Sequence, residues 1–138
     1  MALTQIYVNL PVTDLDASTK VYTAMGGTIN PDFTGDTSAQ VVFADAVVVQ
    51  LMTRETFATF TKRDTADGPI EVINALAAGS REEVDGLADA ALAAGATEPR
   101  EAQDLGWLYN RAIDDPDGHC WELLAYNAGA LGEDGDAR

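Results

Sequence analysis

The chain has 138 residues, with 8 Lys and Arg against 23 Asp and Glu and a formal net charge of −15, so it lacks the basic face that nucleic-acid partners need. Its apolar runs are far shorter than the ~20 residues that span a bilayer and its N-terminus lacks a signal-peptide pattern, so we expect a cytoplasmic protein with no membrane partner. A single cysteine, Cys120, excludes an internal disulfide.

The first half of the chain follows the order strand, helix, three strands. Residues 5–12 alternate apolar and polar side chains, which is typical of a half-buried strand. Asp14 is a residue type that favours a helix N-cap, and the pair Gly26-Gly27 ends the helix. The predicted elements are strands over residues 5–12, 28–33, 39–43 and 47–52, a helix over residues 15–25, and an amphipathic segment over residues 54–62 that carries Phe57 and Phe60.

The second half follows the same order after a polar, turn-rich link at residues 63–68. Ser80 and Glu83 form a capping-box pattern that opens a helix, and Gly95 ends it. The Gly-rich and acidic residues 128–138 are expected to fray. The predicted elements are strands over residues 69–77, 97–103, 106–114 and 119–126 and a helix over residues 81–94.

The two halves repeat one pattern. The strand before the first helix matches its counterpart at an offset of 66 residues, and Gln50 matches Glu122 at an offset of 72, as small loop insertions would produce. The sequence therefore predicts an α+β fold. One domain would cover residues 1–127 and consist of two βαβββ modules, at residues 4–62 and 69–127.

Glu122 is the one carboxylate in an otherwise apolar strand, and a buried carboxylate needs a cation, a metal or hydrogen-bond donors. The duplicated module and the motif D-P-D-G-x-x-x-E-L at residues 115–123 resemble the vicinal oxygen chelate superfamily. That group includes glyoxalase I, extradiol dioxygenases and bleomycin-resistance proteins. The resemblance implies that the modules pair into a cup-shaped mixed sheet with the helices outside, and that the protein is a homodimer.

The resemblance also implies four metal-ligand positions, on the first and fourth strands of each module. These positions hold Tyr7, Gln50, Ile73 and Glu122, and isoleucine cannot coordinate a metal. Glu71 lies two residues before Ile73 and shares its side of the strand. We expect no cofactor. The alternative is a divalent metal held by Glu122, Gln50 and Glu71, an oxygen-rich set suited to Mg²⁺, Mn²⁺ or Ca²⁺.

The length of the last hairpin loop decides what faces Glu122. A four-residue loop pairs Arg111 with Glu122 and Tyr109 with Leu124, and the guanidinium would then satisfy the carboxylate. A three-residue loop pairs Ala112 with Glu122 and turns Arg111 away. We expect the four-residue loop.

The favoured function is the binding of a small organic molecule in the cup without a conventional metal site. Aromatic faces beside carboxylates suit a cationic or amphipathic ligand. Phe57 and Phe60 would either form a lid or wall of the pocket or pack between modules or subunits. The expected ligand-binding residues are Tyr7, Asn9, Gln50, Trp107, Tyr109, Arg111 and Glu122.

Two alternatives remain open. The first is a metal-dependent glyoxalase-like lyase or isomerase, in which a divalent ion polarises a carbonyl group and Glu122 or Glu71 transfers a proton as the catalytic residue. The second is a cup filled by side chains, without ligand chemistry. We interpret His119 as a partly exposed residue beside the turn and Cys120 as a packing thiol rather than a nucleophile.

Overall fold

The computed structural model describes residues 3–65 and 70–127. The chain divides into two compact units, an N-terminal unit over Met1–Pro69 and a C-terminal unit over Ile70–Arg138. Each four-stranded sheet has the same strand order, so the predicted α+β class with two tandem βαβββ modules is confirmed. The predicted tail and the end of the predicted link lie outside the described residues. Within the described ranges, no helix is both long and apolar enough to cross a membrane.

The N-terminal unit has the predicted strand and helix order. Asp14 caps the first helix, because its carboxylate accepts a hydrogen bond from the Ala17 amide at 3.0 Å. Pro31 ends the second strand early, because proline has no amide donor for the ladder. The elements are β1 (Ile6–Val12), α1 (Leu15–Ala24), β2 (Thr28–Asn30), a 3₁₀ turn (Pro31–Phe33), β3 (Ser38–Ala44), β4 (Val47–Thr53) and α2 (Arg54–Thr61).

The sheet of the N-terminal unit has the order β1, β4, β3, β2, with β1 parallel to β4 and the other pairs antiparallel. One face packs against α1, where Tyr22, Val41 and Leu51 are fully buried and their removal from water stabilises the unit. We call the opposite face the pocket face. The strand register aligns four amide side chains in a row across it: Asn9, Gln50, Gln40 and Asn30.

The C-terminal unit repeats this arrangement. Its elements are β5 (Ile73–Ala77), α3 (Arg81–Ala93), β6 (Gln103–Asp104), β7 (Leu108–Asp114) and β8 (Cys120–Tyr126). The sheet order is β5, β8, β7, β6. Ser80 caps α3, as predicted, by accepting a hydrogen bond from the Glu83 amide at 3.1 Å. Val84 of α3 and Trp121 and Leu123 of β8 lie in the buried core of this unit.

Two strands of the C-terminal unit are shorter than the sequence predicts. The strand predicted over residues 69–77 begins at Ile73. The strand predicted over residues 97–103 is reduced to an isolated bridge between Thr97 and Asp114, followed by β6. Pro99 lies between these two pairings and has no amide to donate, so the ladder is interrupted there.

The last hairpin turns through a three-residue loop. The Asp115 amide donates to the carbonyl oxygen of His119 at 3.0 Å, so these two residues close the loop. Gly118 has a φ of 87°, a conformation that glycine adopts without steric cost and that three-residue hairpin loops require.

This loop length sets the register of β7 against β8. Ala112 pairs with Glu122, so Arg111 points to the other face of the sheet because side chains alternate along a strand. The predicted four-residue loop is wrong, and the predicted pairs of Arg111 with Glu122 and Tyr109 with Leu124 are wrong with it. We call the side of this sheet that carries Glu122 the Glu122 face, and the side that packs against α3 the α3 face.

Candidate functional site

A pocket of about 890 Å³ lies on the pocket face of the N-terminal unit. The helix α2 contributes Phe57 and Phe60 to its lining, and the 3₁₀ turn contributes Asp32 and Phe33. The strand β4 contributes Gln50 to its floor. Ligand sites in proteins commonly have volumes of about 300–1,000 Å³, so this pocket is large enough for a drug-sized molecule.

Three phenylalanine side chains give the pocket its apolar lining. Phe33 and Phe60 are 63% and 73% exposed, whereas Phe57 is half-buried. Exposed apolar side chains grouped in a concave place mark binding sites, because an apolar molecule that covers them removes their surface from water. Phe57 and Phe60 both line this pocket, and their expected packing between modules or subunits stays an alternative.

The pocket lining includes the amide side chain of Gln50, which belongs to a ladder of hydrogen-bonded amides on the pocket face. Asn30 Nδ2 donates to Gln40 Oε1 at 2.9 Å, and Gln40 Nε2 donates to Gln50 Oε1 at 3.2 Å. Gln50 Nε2 approaches the carbonyl oxygen of Phe33 at 3.5 Å, which is long for a hydrogen bond. Asn9 lies beside Gln50 and also lines the pocket. The floor therefore offers hydrogen-bonding groups beneath aromatic walls.

Asn9 and Gln50, two of the ligand-binding residues predicted in this unit, both line the pocket. Tyr7, the third, lies beside Val48 in the sheet, two residues before Asn9. Its ring is half-exposed, and its hydroxyl donates to Gln5 Oε1 at 3.2 Å. The structure therefore brings Asn9 and Gln50 together and leaves Tyr7 outside the pocket lining.

In the C-terminal unit, the cation beside Glu122 is Arg100. Arg100 Nη2 donates to Glu122 Oε2 at 2.6 Å and to Asn110 Oδ1 at 2.5 Å, and Asn110 Nδ2 donates to Gln103 Oε1 at 3.2 Å. The side chains of Arg100 and Glu122 are 32% and 27% exposed, so water screens this pair less than a surface pair. Arg100 thus satisfies the carboxylate that stands alone in its strand.

The sequence pattern does not predict the ion pair of Arg100 with Glu122, because Arg100 falls within a predicted strand and has no fixed spacing from Glu122. The chain interrupts its ladder around Pro99, and this freedom lets the Arg100 side chain reach the Glu122 face. The chain has 8 Lys and Arg against 23 Asp and Glu. A scarce cation directly after a proline in a weak strand is the signal that could have indicated this pair.

Arg111 lies on the α3 face and contacts three carboxylates. It makes two hydrogen bonds to Glu98, at 2.9 and 3.0 Å, and contacts Asp89 at 2.9 Å and Asp85 at 3.2 Å. Its side chain is 12% exposed, and its pKa is raised, first by the Glu98 hydrogen bonds. This geometry ties α3 to β7 through charge-assisted hydrogen bonds. The prediction that Arg111 lies beside Glu122 is wrong.

Tyr109 and Trp107 also make contacts within the C-terminal unit. The Tyr109 hydroxyl donates to Asp85 Oδ1 at 2.5 Å, and the Arg81 guanidinium covers the Tyr109 ring at 4.1 Å from its centroid. Trp107 stacks on Tyr126 with ring centroids 6.2 Å apart. The Tyr109 contacts lie on the α3 face, so the prediction that placed this side chain on the other side of the sheet is wrong.

The residues expected to hold a metal do not assemble a site within either unit. Ala75 lies beside Glu122 in the sheet, and Glu71 precedes Ala75 by four residues, about 13 Å along an extended chain. Over residues 3–65 and 70–127, no group of three or more His, Cys, Asp or Glu side chains could hold a metal ion. A metal at Glu122 would also have to displace the guanidinium bound at 2.6 Å. The predicted set of Glu122, Gln50 and Glu71, which draws on both units, therefore stays a prediction.

The fold and the sequence agree on the class of protein. The model of the Glyoxalase/Bleomycin resistance protein/Dioxygenase superfamily matches residues 4–123, which include both βαβββ modules. The chain belongs to this superfamily. No significant match was found among curated proteins.

Solved structures of related proteins share the fold. A hypothetical protein from S. aureus is 26% identical, with a TM-score of 0.77 over 91% of this chain and 95% of that one. A glyoxalase-related enzyme from Fulvimarina pelagi is 23% identical, with a TM-score of 0.78 over 99% of this chain and 98% of that one. A family enzyme from Burkholderia phytofirmans is 19% identical, with a TM-score of 0.74 over 92% of this chain and all (100%) of that one. At these identities the likeness concerns the fold.

Proposed function

We propose that this protein is a binding member of its superfamily that holds a small aromatic molecule in the pocket of the N-terminal unit, without a conventional metal site. One observation carries the proposal. The exposed rings of Phe33 and Phe60 line a pocket of about 890 Å³ together with the amide groups of Asn9 and Gln50. Apolar walls with a few polar groups at fixed positions are the usual composition of a small-molecule site.

The aromatic lining of the pocket supplies the free energy for binding. Phe33 and Phe60 are largely exposed, so they contribute little to folding and their burial is left for a ligand. An aromatic ligand that stacks on these rings gains hydrophobic burial and a ring–ring contact, of about 0.5–1.5 kcal/mol for a pair beyond its area. Binding then compensates for apolar surface that the folded protein leaves in water.

The charge of the pocket favours neutral and cationic ligands over anions. Among the described residues that line it, the only charged one is Asp32, and the chain carries a net charge of −15. Such a field attracts cations and repels anions, and aromatic faces add an attraction for cations.

Equilibrium dialysis against naphthalene tests this function. Phe60→Ala should weaken naphthalene binding at least about fivefold, because it removes one aromatic wall, with little change in the melting temperature. Leu105→Ala is the matched control, since Leu105 is 51% exposed and lies in the C-terminal unit; it should leave naphthalene binding unchanged. Absence of binding, or equal binding to the Phe60→Ala variant, would contradict the proposal.

The alternative function is that of a metal-dependent glyoxalase-like lyase or isomerase. A second measurement distinguishes it from the binding function. Elemental analysis of the protein purified without chelators, together with melting curves over Mg²⁺, Mn²⁺ and Zn²⁺, reports a bound ion directly. The binding function predicts no stoichiometric metal that depends on Glu122. A stoichiometric metal that is lost in Glu122→Gln would favour the alternative.

A further inference from the structure

The hydrogen-bond polarity of the amide ladder is fixed at one end by the backbone. The Asp32 amide donates to Asn30 Oδ1 at 3.1 Å, and a backbone N–H can only donate. The other end of the same side chain, Asn30 Nδ2, therefore faces Gln40 and donates to its Oε1 at 2.9 Å. The Asn30 amide cannot be reversed without placing two donors against each other.

The direction of the Asn30 hydrogen bond fixes the direction of each following hydrogen bond in the ladder, up to Gln50 in the pocket. Gln40 is 9% exposed, so its amide depends on protein partners rather than water. Because Gln40 Oε1 accepts from Asn30, Gln40 Nε2 faces Gln50 and donates to Gln50 Oε1 at 3.2 Å. The remaining group of Gln50, its Nε2, is thus a donor. Its contact with the carbonyl oxygen of Phe33 is 3.5 Å long, which leaves hydrogen-bonding capacity on a side chain that lines the pocket.

We propose that Gln50 Nε2 makes the pocket selective for planar aromatic ligands that carry a neutral hydrogen-bond acceptor, such as a ring carbonyl. This inference rests on the proposed function and specifies its ligand class. Asn9 lies beside Gln50 in the register and lines the same pocket, and its amide can accept or donate. A cyclic amide fits both groups, because its carbonyl accepts from Gln50 and its N–H donates to Asn9.

The acceptor is neutral for an electrostatic reason. The Asp32 carboxylate lines the pocket, and the described lining residues include no Lys or Arg to balance an anion. A carboxylate or phosphate on the ligand would lose its hydration without gaining a cation. A carbonyl oxygen costs much less to desolvate and still accepts the Gln50 hydrogen bond.

The substitution Gln50→Glu tests the role of the hydrogen-bond donor, because it removes the donor at this position and leaves the other pocket residues in place. A glutamate at this position still accepts from Gln40 Nε2, so the ladder keeps its internal hydrogen bonds, but it cannot donate to a ligand. Gln103→Glu is the matched control, because Gln103 Oε1 likewise accepts an amide hydrogen bond, from Asn110, in the C-terminal unit. Gln50→Met gives a second variant that lacks the donor and carries no charge.

The test compares 2-quinolone, a cyclic amide, with naphthalene, which has the same fused two-ring framework and no acceptor. Equilibrium dialysis of the full chain should show about three- to tenfold tighter binding of 2-quinolone, the contribution of one neutral hydrogen bond. Gln50→Glu and Gln50→Met should lose this preference, so that the two compounds bind about equally, and Gln103→Glu should keep it. Equal binding of the two compounds to the unmodified protein, or a preference that survives both Gln50 variants, would overturn the inference. Failure of both compounds to bind would instead overturn the proposed function.

Discussion

Arg100 donates a hydrogen bond to Glu122 across 2.6 Å on the Glu122 face of the C-terminal sheet. This pair supplies the cation that an otherwise apolar strand requires. The counterpart of Glu122 in the N-terminal unit is Gln50, which needs no cation and accepts from Gln40 instead. The two modules therefore satisfy the same position in different ways, by an ion pair in one and by an amide ladder in the other.

Arg100→Ala should lower the free energy of unfolding by about 1–2 kcal/mol, because it leaves a carboxylate without its charged partner at a site that is only partly exposed to water. Urea denaturation at pH 7 measures this loss. The combined variant Arg100→Ala, Glu122→Gln should recover part of it, since the neutral amide no longer needs a cation. A loss in the combined variant equal to the sum of the two single losses would show that the residues do not interact.

Arg111→Ala should destabilise the protein by about 2–4 kcal/mol, because it removes hydrogen bonds to Glu98, Asp85 and Asp89 and leaves these carboxylates close together. Urea denaturation measures the effect, and Arg111→Lys should recover only part of the stability, since an ammonium cannot make the paired contact with Glu98. Naphthalene binding to the folded Arg111→Lys variant should be unchanged. Loss of naphthalene binding in this variant would indicate that Arg111 takes part in ligand binding.

Asp85 should make the stability of the protein sensitive to acid. The Tyr109 hydrogen bond, followed by Arg111, lowers the pKa of Asp85 in the folded state. A lowered pKa stabilises the folded state above the ordinary carboxyl range, and this contribution is lost as the pH falls through the folded value. Melting temperatures from pH 6 to pH 2 should fall less steeply for Asp85→Asn than for the unmodified protein. Parallel curves would contradict the assigned cause.

Asp32 should set the charge preference of the pocket. We expect 1-naphthylmethylammonium to bind more tightly than 1-naphthoate, and Asp32→Asn to reduce the ratio of their affinities about two- to fivefold, the range for an exposed charge. Asp36→Asn is the control, because Asp36 carries the same charge in the same unit outside the pocket lining. The effect of Asp32 should shrink in 1 M salt. If both substitutions reduced the ratio of affinities equally, the preference for the cationic ligand would come from the net charge of the protein alone.

Most of the fold is predictable from local patterns. Alternation of apolar residues defines the strands, and Asp14 and Ser80 mark helix starts through caps that depend only on neighbouring residues. The repeat then gives the order of elements in both modules. The hairpin register needs one further fact, the loop length, and Gly118 after Pro116-Asp117 already favours the three-residue loop that the structure has.

The contacts of the site were less predictable, because they join distant segments. Strand parity and the repeat predict that Gln50 and Asn9 share one face of the sheet, and the structure places them side by side there. Arg100 meets Glu122 across 22 residues of sequence, through a segment interrupted around Pro99, and no periodicity describes such a contact. The walls of the pocket depend on how α2 and the 3₁₀ turn pack over the sheet, which the short amphipathic pattern around Phe57 and Phe60 does not specify.

An NMR titration of the ¹⁵N-labelled protein with 2-quinolone tests most directly whether a ligand binds beside Gln50 and Asn9. We expect the side-chain NH₂ signals of Asn9 and Gln50 to shift with a common, saturable dependence on ligand concentration. The signals of Asn110 and Gln103, which lie in the C-terminal unit, should stay in place. Shifts confined to the C-terminal unit, or no saturable shift of the Gln50 signals, would show that the ligand does not bind beside Gln50 and Asn9.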